Sequence, residues 1–213
     1  MDLQKELKTL NDDLVSAFYE LEEYSIIFLE SETRIQLLNK VAPSFFSKVN
    51  SFYWRSFIMT ISRFTDPSDQ SKNQNLSLKS LLKYLPQLKP EDQEYFRDNL
   101  AIIEKETKHI RKFRSKYISH RDFDYAILKK DDIDPIEIKK IEDIYNLFEV
   151  CLNIFNRHLS NTSILFRGLR TFHGARSLIF HLKDGVIYNE FKARRKNLFL
   201  NEEEINLSKF KDA

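Results

Sequence analysis

No glycine occurs before position 168: Gly168, Gly174 and Gly185 are the only three in 213 residues. The tight turns of a sheet-rich protein draw on glycine for backbone conformations that other residues resist. With five prolines and abundant Leu, Glu, Lys and Ile, the chain reads as a set of long helices. At 42% hydrophobic and 31% charged residues it can bury a real core within one ordinary domain, or one domain with an appendage.

The apolar residues repeat at helical spacing. Leu3, Leu7, Leu10, Leu14, Ala17, Leu21, Tyr24 and Phe28 alternate steps of four and three, which draws one face of a long first helix. Helical character continues from Glu32 to Val41 and stops at Pro43. A second long helix is expected from about Ser44 to Arg63. Its Phe45, Phe46, Val49, Phe52, Tyr53, Phe57 and Met59 predict a central place in the core. Residues 65–75 are polar and turn-rich, a loop. Ser77 can cap a short helix over Leu78–Leu85, bracketed by Pro86 and Pro90. Pro90-Glu91-Asp92 suits the start of a helix whose stripe runs Phe96, Leu100, Ile103, Thr107, Ile110, then Arg114 and Tyr117. After a break at residues 131–135, Ile136–Leu159 is amphipathic. Gly174–Lys183 is helix-like, Gly185 reads as a turn, and Val186-Ile187-Tyr188 suits a strand or a helix.

Arg114 stands where the stripe asks for an apolar side chain. A charge on a buried face must be paired or put to use. Two readings stay open: an ion pair with an acidic residue of a neighbouring helix, or a phosphate-holding group. His120 follows six residues later, about 240° round and roughly 9 Å along a regular helix, so the two side chains do not share a face. His120 can bind the last carbonyls of its helix, or it can move a proton. Asp122 or Asp124 can fix its tautomer. Arg63 and Asp66 form a second cluster. Either Asp66 makes a turn contact beside a helix-end cation, or Arg63 lines a cleft with Asp66 orienting it.

Other chemistry has little purchase. Cys151 is the only cysteine, and its spacing with Leu147 and Ile154 makes it a small buried residue. His109, His158, His173 and His181 lack partners at metal-ligand spacing, so neither a metal nor a cofactor is expected. The net charge of +2 excludes a dedicated nucleic-acid coat, so RNA would need a local basic patch. Arg194-Arg195-Lys196 is one short basic cluster. No apolar run approaches the ~20 residues that cross a bilayer, and the charged N-terminus has no signal core. The expected setting is the cytoplasm, away from membranes.

Three segments in order carry a resemblance: Ser62-Arg63-Phe64-Thr65-Asp66-Pro67, then Asn75-Leu76-Ser77-Leu78, then Arg114 to His120 with Asp122. Together they resemble the AbiU-type HEPN-like family, linked to phage abortive infection, over about residues 45–185. The resemblance implies an all-α fold, a HEPN-like helical bundle of long antiparallel helices with a small C-terminal extension. The expected division is an N-terminal helical segment at 1–42 packing on the core, the HEPN-like core at 43–185, and a charged tail at 186–213. It also implies a homodimer in which two Arg–His sets face one cleft and cleave RNA without metal, as in phage defence or a toxin–antitoxin pair with a cognate antitoxin protein. Arg114 and His120 would be catalytic, with Ser115, Asp122, Arg63 and Asp66 in support. HEPN nucleases often carry Asn, Asp or His directly after the arginine, where this chain has Ser115. Two other functions stand beside this one: a non-catalytic helical module that binds a partner protein or nucleotide, and a plain helical scaffold.

Overall fold

A computed structural model describes residues 2–70, 73–115, 136–168 and 173–197. Among these residues lie six α-helices: α1 (Leu3–Phe28), α2 (Glu32–Val41), α3 (Pro43–Thr65), α4 (Pro90–Phe113), α5 (Ile138–Ser160) and α6 (Ala175–Asn197). A 3₁₀ segment, Leu78–Gln87, and a two-stranded antiparallel ribbon, Asp69–Gln70 with Asn73–Gln74, complete the described structure. The all-α fold class expected from the sequence holds.

Each boundary has a local cause. Asp2 caps α1, its Oδ1 accepting from the Gln4 amide at 3.0 Å. The helical run does not pass smoothly into α2: Leu29 closes α1, and Ser31 opens α2 by accepting from the Arg34 amide. Pro43 and Pro90 occupy first-turn positions of α3 and α4, where a missing amide proton costs nothing. The 78–87 segment winds as a 3₁₀ helix because Leu78, Leu81 and Tyr84 recur every three residues and face one way into the core. Asn161 ends α5 in the left-handed conformation, at φ 52°.

Helices α1, α3, α4 and α5 surround one core. The first-helix seam is buried as its spacing demands, from Leu3 through Tyr24, with Phe28 half-buried. The stripe Phe96, Leu100, Ile103, Thr107 and Ile110 is buried on α4. Phe64 of α3 stacks on Phe148 of α5 with ring centroids 4.7 Å apart, and Phe96 meets Phe155 edge-on. Asn11 and Asn156 exchange hydrogen bonds of 2.9 and 3.2 Å across α1 and α5. Asn153 pins the loop after α5 through both the amide and the carbonyl of Ile164. A second, smaller cluster joins Ile26, Ile27, Leu38, Phe46, Ala175 and Ile179, so that α6 docks on α1 and α2.

Two expectations are corrected. Helix α3 is central on one side only: Phe57 and Phe64 are buried, while Phe45 and Phe52 are 59% and 63% exposed. Its aromatic residues surround the helix, and a helix has one core-facing stripe. No turn forms at Gly185, because α6 runs through it. One internal glycine costs a helix only about 1 kcal/mol, and the packing of Ala175, Ile179 and Leu182 on the second cluster offsets that.

Candidate functional site at the end of α4

Pro67 shapes the first half of the site. The residue before a proline is driven out of the helical region, and Asp66 is extended, at φ −62° and ψ 150°. This stops α3 at Thr65 and turns the Asp66 carboxylate towards α4. The loop beyond is tied back on itself: the Asn75 side chain donates to the Pro67 carbonyl at 2.9 Å, and its amide donates to Ser68 at 2.7 Å.

Helix α4 supplies the second half. Arg114 follows the stripe at the next inward slot, still in helical conformation. Its Nη1 donates to both Asp66 oxygens, at 3.1 and 3.0 Å. The side chains are 27% and 18% exposed, a pair at the mouth of the bundle and not in its interior. Arg111, one turn back, reaches the same carboxylate at 3.8 Å. One carboxylate thus faces two guanidinium groups. Among the described residues nothing accepts from Nη2 of Arg114, and its Nε is buried without a partner.

The sequence-derived site residues separate into four groups. Arg114 and Asp66 are brought together. Ser115 is exposed on the rim of a polar depression of about 420 Å³, which Glu104, Lys108, Arg111, Lys112 and Arg114 also line. Arg63 takes another direction: exposed, it donates to Thr60 of its own helix at 3.3 Å, and Asp66 orients Arg114 in its place. His120 and Asp122 lie outside the described residues, as does Tyr117. Arg111, Lys108 and Lys112 were not singled out from the sequence. Their signal is the run of cations at 105, 108, 111 and 112 on the outward side of the apolar stripe, legible once the stripe is phased.

Elsewhere the polar groups read as structural. Burial pushes the Cys151 thiol up to about 12, and Cys151 is fully enclosed, as its spacing predicts. Glu6, nearly buried, accepts from Lys83 at 2.8 Å and from the Tyr84 hydroxyl at 3.0 Å, tying α1 to the 3₁₀ segment. Among the described residues no three His, Cys, Asp or Glu side chains converge to hold a metal ion, and no helix is long and apolar enough to cross a membrane. The side chains of Arg194, Arg195 and Lys196 are not among those described.

Residues 2–172 match the family model for AbiU2, of the HEPN type. No curated protein and no solved structure matches the chain.

Proposed function

The chain belongs to the AbiU2 family of HEPN domains, and from that premise we propose that it is a metal-independent endoribonuclease of phage defence, working as a homodimer in the cytoplasm. The observation that carries this is Arg114. It sits partly exposed at the end of α4, fixed by Asp66 through Nη1, and among the described residues nothing accepts from its Nη2. A guanidinium stays charged at any working pH and fits a phosphate. Held in advance, it stabilises charge that develops on phosphoryl oxygens without reorganising during the reaction.

The chemistry needs a base and an acid. His120 takes the proton of a ribose 2′-hydroxyl, and the 2′-oxygen attacks the adjacent phosphorus. The bond from phosphorus to the 5′-oxygen breaks, and His120 of the partner subunit protonates the leaving oxygen. The products are a 2′,3′-cyclic phosphate and a 5′-hydroxyl. Ser115 and Asp122 support the pair. A surface suited to such a dimer lies on α3, where Phe45, Phe52 and Met59 are exposed at seven-residue spacing on the helix that ends beside Asp66. A cognate antitoxin protein would silence the activity.

A second reading draws on the same pair. A carboxylate that accepts two bonds from one guanidinium is also what a structural ion pair looks like. In that case the domain binds a partner protein or nucleotide without cleaving RNA.

The test is incubation of the purified chain with total RNA in excess EDTA, beside His120→Ala and Arg114→Ala. The nuclease reading expects cleavage with cyclic phosphate ends by the wild type alone, and folded but inactive variants. Cleavage that survives His120→Ala rules out this site. Absence of cleavage by every form, on a broad set of RNAs and with antitoxin removed, favours the binding module.

A further inference from the structure

The basic surface on α4 extends beyond what the scissile phosphate requires. Lys108 and Lys112 are exposed one helical turn apart in the depression beside Arg114. The cations around them are partly spoken for: Arg111 and Arg114 share Asp66. Among the described residues the one carboxylate lining the depression, Glu104, is held by Lys79 of the 3₁₀ segment. Neither Lys108 nor Lys112 has a carboxylate partner among the described residues. Among the described residues the surplus positive charge of this depression therefore rests on these two side chains. The helix dipole explains a cation at position 112, in the last turn of α4. Its influence fades within that turn, so it does not explain Lys108.

We propose that Lys108 and Lys112 form a phosphate track, seating the RNA strand that flanks the bond held at Arg114. The inference rests on the ribonuclease reading and specifies where its substrate lies. Side chains four positions apart rise by ~6 Å, about one turn, along the same face, a step short enough for neighbouring phosphates of one strand. Lysine offers a mobile point charge, which suits backbone phosphates and not base edges. The track positions the strand and leaves sequence preference to other groups.

Each phosphate neutralised on a single strand adds about 0.7 to the slope of log affinity against log salt. The experiment measures fluorescence anisotropy of a labelled RNA made uncleavable by 2′-O-methyl groups, across a salt series. It compares the wild-type chain, Lys108→Gln with Lys112→Gln, and Lys183→Gln on the exposed side of α6 as a control for lost charge. The double variant is expected to bind more weakly, with a slope shallower by about 1.4, twice the single-strand increment. The control keeps the wild-type slope, and on cleavable RNA the double variant loses through KM with kcat held. An unchanged slope in the double variant, beside a wild type that binds and cleaves, overturns the track and leaves the ribonuclease reading standing. A wild type that neither binds nor cleaves overturns both.

Discussion

Asp66 accepts two hydrogen bonds from a single nitrogen of Arg114, at 3.0 and 3.1 Å, across 48 residues of sequence. This geometry differs from the two-nitrogen fork by which arginine grips a carboxylate most tightly. It fixes the position of the guanidinium and, among the described residues, leaves Nη2 without an acceptor.

Asp66→Asn removes the charge but keeps an oxygen, and Asp66→Ala removes both. Each is expected to lower stability by about 1–3 kcal/mol, the worth of a charged hydrogen bond. A guanidinium displaced by an ångström should cost cleavage about 100-fold. Circular dichroism establishes that the fold survives. A double-mutant cycle with Arg114→Lys then separates positioning from bulk stability: strong non-additivity in kcat places Asp66 as the group that holds Arg114. Additive losses would detach Asp66 from the site.

Asn11 and Asn156 should behave as one unit. Asn156→Ala leaves Asn11 without its partner and takes one bond from Asn153. An orphaned buried amide costs about 1–3 kcal/mol. Urea denaturation of Asn156→Ala, Asn11→Ala and the pair is expected to show the double variant losing less than the sum. Full additivity would mean that the two amides do not depend on each other.

Burial raises the Cys151 thiol from 9.0 to about 12. The thiolate is the reactive form, so the folded protein should resist a disulfide reagent at pH 8 and react at its rate of opening. Because the folded value lies above the unfolded one, the folded state keeps its proton longer. The associated stability is fully present below pH 9 and is lost as pH rises through about 12. Thiol labelling in increasing urea tests this, and immediate labelling in native buffer would contradict enclosure.

Phe52→Glu places a charge in the exposed α3 stripe without touching the buried side of the helix. For the proposed homodimeric ribonuclease, sedimentation should then report a monomer with the wild-type helical signal, and cleavage should fall with dimerisation. An unaltered dimer would move the interface away from α3.

The sequence by itself determined the all-α class and the buried faces of α1 and α4. Period and burial are two views of one local fact: Leu3 to Tyr24 and Phe96 to Ile110 face inward because residues three and four apart share a side of a helix. The start of α4 was equally legible, since Pro90 suits the first turn of a helix. It also marked Arg114 as a charge where the stripe wanted none.

Only the tertiary structure decided which carboxylate would meet it. Arg63 and Asp66 are close in sequence, yet Arg63 turns back to Thr60. Asp66 instead crosses to the end of α4, because packing of α3 against α4 brings those two ends together. The division of the α3 aromatics into buried and exposed, and the passage of α6 through Gly185, were settled the same way. Spacing states which side chains share a face, whereas the partner of that face depends on helices distant in sequence.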